Sequence, residues 1–391
     1  MQKSKKRILI LSPFFYPELI STGKFNTNIA KELRDKGYNV TILCSHPFYP
    51  KWKPIRSNQS IEGIKIIRGG AYLRYPNNII AKRAILEVWY ALFVFKHFFR
   101  LKDKIDIIVP VFPPSLGFYI LTFLIKNKIK KVGMIHDLQE VYSSKKTGVL
   151  SKIIRFFINK VERITFKSCD KLIFLSEEMK ETAEKYYDLN ENKLEVQYPF
   201  INIDTSIVTN ELERILSKHK NHVVYSGALG EKQNPNKIYE LYDFASKRIE
   251  NTEFHFFSQG NIFEQLNKKN KNEKIRFHNL VPEKNILELY KRSTIQIIPQ
   301  KRGTSKGSLP SKLPNIMASG CNILIITDEN SELDNLFKKY NLNTVVTLWD
   351  NELLCSAINS LLKKNQGRNI HNIKIANELF NSNAMVDKIL N

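Results

Sequence analysis

Short runs of apolar, largely β-branched residues alternate with amphipathic stretches along the whole chain. RILIL (7–11) reads as a buried strand, followed by a helix near 24–36, a glycine at position 37 and a second strand, VTILC (40–44). IKIIRG (64–69), IDIIVP (105–110), KVGMIH (131–136) and KLIFLS (171–176) read as further strands with helical segments between most of them. Apolar runs bounded by turn residues and separated by helices predict a parallel, doubly wound α/β sheet. The pattern restarts at HVVYSG (222–227), a strand ending in a glycine turn. A helix near 236–249 follows, then FHFFSQG (254–260), IRFHNL (275–280), IQIIPQ (295–300), a helix near 311–319, and NILIIT (322–327). The chain therefore predicts two Rossmann-like domains, with a hinge within 199–221. Their carboxyl strand ends would face a shared cleft, where open α/β sheets bind ligands.

A length of 391 residues agrees with two domains. Charge adds a distinction that the hydrophobic pattern does not. The formal net charge is +23, and residues 1–200 carry 35 basic against 18 acidic side chains, so the excess sits mainly in the first half. Such asymmetry implies a polyanionic partner, whether nucleic acid, anionic lipid or a phosphorylated substrate, although a generally Lys-rich composition also contributes. Two basic-apolar segments share that half: 79–101, apolar almost all round with Lys82, Arg83, Lys96 and Arg100 near its ends, and 148–163, with Lys152, Arg155, Lys160 and Arg163 interleaved. Each suits a helix lying at a lipid interface or, equally, a core-facing helix with solvated basic residues. No run of 18 apolar residues is present, so no membrane-spanning helix is expected. The basic, apolar start of the chain is cut by Pro13 and Pro17 and reads as a first strand instead of a signal peptide. The four cysteines (Cys44, Cys169, Cys321, Cys355) are far apart and predict neither a disulfide framework nor a zinc site, which fits a cytoplasmic protein.

Candidate chemistry is concentrated in four places. PQKRGTSKGSLPSKLPNIMASG (299–320) leaves a strand, crosses a small-residue loop and opens a helix near Ser311, with Lys301, Arg302 and Lys312 beside it. A helix N-terminus with adjacent cations is suited to a diphosphate. In YSGALGEKQNPN (225–236), Gly227 and Gly230 allow close backbone approach and Lys232 can reach a phosphate. Ser21, Thr22 and Gly23 form a small turn before the first helix, and His136-Asp137 ends a strand. His136 has a purely structural reading as well as a catalytic one. The chain lacks an Asp-x-Asp pair, a GxxxxGK[ST] loop, a GxGxxG loop and HExxH. A metal-free mechanism relying on basic residues is the simplest expectation.

Together, SPFFYPELISTGKF (12–25), HPFYPKW (46–52), HDLQE (136–140), YSGALGEKQN (225–234) and QKRGTSKGSLPSKLPNIMASG (300–320) resemble the family 4 retaining glycosyltransferases, in the group concerned with colanic acid biosynthesis. The resemblance covers nearly the whole chain. It implies a GT-B fold, with residues 1–200 and 377–391 forming an acceptor- and membrane-facing domain and 201–376 binding the donor. It implies that Gly227, Lys232, Lys301, Arg302, Ser311 and Lys312 hold the donor diphosphate, and that Asn315 faces the ribose. Gly260, Leu280, Val281 and Pro282 would lie near the base. Thr22 and Gly23 would close over the phosphates, and His136 or Asp137 would lie near the transferred sugar or acceptor. The donor would be UDP- or GDP-linked, with no other cofactor and no metal. The acceptor would be a polyprenyl-diphosphate-linked saccharide at the inner face of a bacterial membrane. The chain departs from the family where many members have two glutamates, here Gly307 and Asn315, and where many have an Arg, here Ala228. A GT-B sugar-nucleotide 2-epimerase and a non-catalytic subunit of a membrane assembly are alternatives. A nucleic-acid-binding role lacks any recognisable module.

Overall fold

A computed structural model of the chain describes residues 6–18, 20–125, 128–138, 149–203, 209–305, 309–342, 344–364 and 367–391. Gln139, Glu140, Gly148 and Gly307, singled out above, lie outside this set. The chain divides into two compact units, Met1–Tyr198 with Ser382–Asn391, and Pro199–Asn381.

The first unit is a parallel sheet in the order β3-β2-β1-β4-β5-β6-β7. Its strands are β1 (Arg7–Leu11), β2 (Asn39–Ser45), β3 (Ile64–Gly69), β4 (Ile107–Phe112), β5 (Lys130–Ile135), β6 (Lys171–Phe174) and β7 (Leu194–Val196). Both faces of the central strands are covered, which is why they read as continuous apolar runs: every residue of β4 is buried. The sequence pattern ended this strand at Pro110, but it continues to Phe112. The ladder to β1 includes Leu11 opposite Pro110, whereas pairing with β5 lapses at Val109 and Pro110, where proline has no N–H to give. The helices are α1 (Ser21–Asp35), α2 (Ile79–Leu101), α3 (Leu116–Thr122), α4 (Val149–Ser168) and α5 (Glu177–Tyr187).

Helix α2 has two apolar faces. Leu86, Tyr90, Val94 and Phe98, four residues apart, are buried in the core, while Val88, Leu92, Phe95 and Phe99 on another side are exposed. Beside it packs α3, and α4 packs on α3. Glu87 of α2 accepts the Leu116 N–H at 3.1 Å, at the start of α3. Phe123, Phe156 and Phe157 extend the exposed apolar surface, each more than half exposed. No described helix is long and apolar enough to cross a membrane.

The second unit repeats the winding with a six-stranded parallel sheet in the order β10-β9-β8-β11-β12-β13. The strands are β8 (Asn221–Ser226), β9 (Thr252–Phe257), β10 (Ile275–His278), β11 (Ile295–Pro299), β12 (Asn322–Ile326) and β13 (Val345–Val346). Around them lie α6 (Pro235–Ser246), α7 (Asn261–Lys269), α8 (Ile286–Arg292), α9 (Leu313–Ala318), α10 (Glu332–Lys339), α11 (Asn351–Lys363) and α12 (Ile370–Leu379). The order reverses between β8 and β11, so this is the sheet's switch point.

The segment expected to be a hinge is partly anchored. Glu288 of α8 accepts hydrogen bonds from Thr209 Oγ1 (2.6 Å) and Leu212 N (3.0 Å), and Leu212 and Leu216 are buried, so 209–217 is packed onto the second unit instead of forming a free linker. The final helix, α13 (Ser382–Leu390), belongs to the first unit and packs on α1, with Lys36 Nζ 2.6 Å from Asp387 Oδ1. All four cysteines are buried and unpaired.

Candidate active site

A cavity of about 380 Å³ opens at the carboxyl ends of β8 and β11, the switch point of the second sheet. Gly227, Lys232, Leu280, Val281, Ser311 and Lys312 line it together with Ala228, Tyr290, Gln300 and Thr304. Among the described lining residues there is no carboxylate, and Lys232 and Lys312 are the charged ones.

Lys312 is the best-defined side chain in it. Its Nζ donates to Ser226 O at 2.9 Å and lies 3.5 Å from Ile297 O, bridging the last residue of β8 and the middle of β11. It also sits 4.5 Å from the centre of the Tyr225 ring, where the face of the π system favours a cation. Burial pulls the ammonium pKa down to about 7. The residue caps α9, which begins at Leu313 and has only six residues. The sequence pattern placed a longer helix from Ser311. With so short a helix the dipole term is small, and the positive charge here is mainly that of the lysine.

Gly227 opens the turn after β8 with φ +125°, a conformation open essentially to glycine, and a Cβ built on it would meet nothing within 4 Å. Its backbone therefore borders open space in the cavity. Lys232 is exposed at the rim, on a short turn whose carbonyl accepts the Lys301 N–H at 2.7 Å. That bond joins the loop after β8 to the loop after β11.

A residue that the sequence reading missed fixes the second loop. Asp328, just past β12, accepts the Gly303 N–H at 2.8 and 3.1 Å and the Ser305 hydroxyl at 2.6 Å. Lone aspartates after strands are common in sequence, and only the adjacency of β11 and β12 marks this one.

Five of the residues expected near the donor do not line this cavity. Pro282, Gly260, Lys301, Arg302 and Asn315 are not among the lining residues. Gly260 precedes α7 with φ +101°, Lys301 and Arg302 are exposed, and Asn315 Oδ1 accepts the Asn202 N–H at 2.8 Å. Asn315 thus binds the chain entering the second unit.

The remaining expected residues belong to the first unit. Thr22 and Gly23 lie in the first turn of α1, where a Cβ on Gly23 would come within 3.0 Å of Glu18 O. His136, after β5, packs edge-on against Phe25 of α1 with ring centres 4.7 Å apart. Burial pushes its pKa down to about 4, and Nε2 has no hydrogen-bond partner, so the ring is a neutral group near neutral pH. Asp137 beside it is exposed.

Two doubly wound parallel sheets, the second with a cavity at its switch point, have the architecture of the GT-B fold. The sequence pattern of Glycosyltransferase Family 4 matches residues 22–205, and that of Glycosyl transferases group 1 matches 209–376. The chain belongs to the family 4 glycosyltransferases. It is 25% identical over 364 residues to an Escherichia coli K12 protein described as the colanic acid biosynthesis glycosyl transferase WcaI, a match spanning 85% of this chain and 86% of that one. Among solved structures, sucrose-phosphate synthase from Thermosynechococcus elongatus superposes with a TM-score of 0.73 at 12% identity, covering 98% of this chain and 97% of that one. WaaG, a glycosyltransferase involved in lipopolysaccharide biosynthesis, gives 0.68 at 14% identity, covering 98% and 99%. At these identities the structural matches establish the fold.

Proposed function

We propose that the chain moves a sugar from a UDP- or GDP-linked donor onto a polyprenyl-diphosphate-linked saccharide, with retention at the anomeric carbon and without a divalent ion. The observation that carries this reading is the position of Lys312 at the switch point. When the bond between the anomeric carbon and the donor phosphate breaks, negative charge develops on the nucleoside diphosphate. A partly desolvated ammonium fixed beside that oxygen stabilises the transition state more than the ground state. Lys232 adds a second positive charge at the rim, and the Gly227 backbone allows the phosphates to come close. The leaving phosphate oxygen takes the acceptor hydroxyl proton as the new carbon–oxygen bond forms on the same face, so no protein nucleophile is required. A cavity without carboxylates suits an anion and offers little to Mg²⁺.

The surface-polysaccharide assignment rests on the descriptions of WcaI and WaaG. In the test, purified protein and a panel of UDP- and GDP-sugars should release nucleoside diphosphate only with a lipid-linked acceptor, at undiminished rate in EDTA, and give a retained linkage. Abolition by EDTA, or conversion of the donor to its epimer without acceptor, would overturn the proposal.

The exposed aromatic surface of α2, α3 and α4 supports a membrane-facing role. Lys96, Arg100, Lys152 and Lys160 are exposed around Phe95, Phe99, Phe156 and Phe157, a combination that binds anionic lipid by insertion plus charge. Co-sedimentation with vesicles containing anionic lipid should fall about tenfold or more in a Phe156→Ser/Phe157→Ser variant, since each ring loses about 1.5–3 kcal/mol of burial. Unchanged co-sedimentation would remove this face as the docking surface.

A further inference from the structure

Three histidines on neighbouring strands of the second sheet form a hydrogen-bonded row that runs from the amino end of β8 (His222) through the middle of β9 (His255) to the carboxyl end of β10 (His278). His222 Nε2 lies 2.8 Å from Ser217 O. A carbonyl can only accept, so Nε2 carries the proton and Nδ1 presents a lone pair. That Nδ1 is 2.9 Å from His255 Nε2, and His255 Nδ1 is 3.1 Å from His278 Nε2. Each ring therefore donates from Nε2 to the next acceptor along the row. Glu253, opposite His222 in the β8–β9 register, gives one carboxylate oxygen to Lys220 Nζ at 2.8 Å and holds the other 3.8 Å from His255 Nε2. His222, His255 and Glu253 each bring one ligand atom within 4.8 Å of the others.

We propose that His222 Nδ1, His255 Nε2 and the second oxygen of Glu253 form a binding site for a zinc-class divalent cation, with water as the fourth ligand. Bonds of about 2.0–2.1 Å in a tetrahedral site place ligand atoms roughly 3.3 Å apart. The two imidazoles then separate by about 0.4 Å, and Glu253 approaches His255 by a similar amount. The orienting partners are already present: Ser217 O holds the outer nitrogen of His222, and His278 holds that of His255, the arrangement that fixes tautomer and ring plane in metal-bound histidines. Burial lowers the pKa of all three rings, which keeps them in the neutral, ligand-ready state near neutral pH.

The proton balance closes. The ion replaces the proton on His255 Nε2, the Nε2 proton of His278 passes to His255 Nδ1, and His278 takes one from water at Nδ1. All three rings stay neutral, with no net proton release. The Glu253 side chain retains 15% exposure against 1% for His255, so the ion enters along its edge. Lys220 and Arg276, 2.8 and 3.9 Å from the other Glu253 oxygen, oppose the added charge and keep this site weaker than a closed structural one.

The test uses the full chain freed of metal by chelation and titrated with Co²⁺ and Zn²⁺. One Co²⁺ per chain should bind with the intense visible bands of a tetrahedral site, and Zn²⁺ should displace it and raise the melting temperature. Glu253→Gln, at the accessible edge and keeping the residue's size, should weaken binding at least about tenfold, as should His222→Gln. Weak octahedral-type bands, or uptake unchanged in both folded variants, would refute the site. Sugar transfer plays no part in this measurement, so its outcome is independent of the proposed activity.

Discussion

Replacing Lys312 with methionine is expected to lower turnover about 100-fold or more, the scale for losing a single preorganised charge-stabilising group. Methionine keeps much of the apolar stem but leaves Ser226 O and Ile297 O without their donor and the cavity without its innermost cation. A second signature separates this role from simple packing. With its pKa at about 7 in the free protein, Lys312 is only partly protonated at neutral pH. Nucleoside diphosphate binding favours the charged form, so it raises that pKa and takes up protons near and above pH 7. Affinity should therefore fall as pH rises from about 6 to 8, and the methionine variant should lose that component. Calorimetry in buffers of different ionisation heat reads the proton uptake directly. The sign for stability is opposite: the unfolded lysine titrates near 10.5, so burial of the ammonium destabilises the fold below pH 7, and the penalty is relieved as pH rises above 7. Wild-type turnover in the variant would move the charge stabilisation to another group.

Gly227→Val carries the second large effect. At φ +125° any side chain strains the backbone, by about 1–3 kcal/mol. The added methyl groups would also enter the open space that the glycine borders. The variant should melt lower and lose at least about tenfold in nucleotide affinity. Nucleotide-induced stabilisation in a thermal melt separates the two consequences. A folded variant with the full nucleotide shift would show that the phosphates do not approach this turn.

The alternation of apolar runs and amphipathic stretches is enough to read the central strands of both sheets, because fully covered parallel strands leave an unbroken apolar signature, whereas the short edge strands β7 and β13 leave none and were not read. The restart at His222 was legible for the same reason. Local deviations were not. Pro110 looked like a strand end because its tolerance depends on a neighbour giving up pairing at that point. The loop of residues 301–305 showed its small and basic residues, but its anchor, Asp328, comes from the next strand over. Its place in the loop marks Lys312 as a phosphate ligand, whereas its depressed pKa arises from burial beside Tyr225 and the strands β8 and β11. The histidine row was invisible, since His222, His255 and His278 are far apart in sequence and become neighbours only through the order β10-β9-β8. Asn315 was assigned to the ribose by resemblance, and the structure ties its side chain to Asn202.

Helix α2 sets a practical limit on how this protein can be simplified. Anyone seeking a better-behaved preparation would be tempted to excise the greasy stretch between Ile79 and Leu101, but the same turns supply Tyr90, Val94 and Phe98 to the interior. Losing even one such side chain costs about 2–5 kcal/mol, and deletion would collapse the whole domain. Polar replacements along the outer stripe, at Val88, Leu92, Phe95 and Phe99, lower the exposed apolar area while leaving the inner stripe untouched.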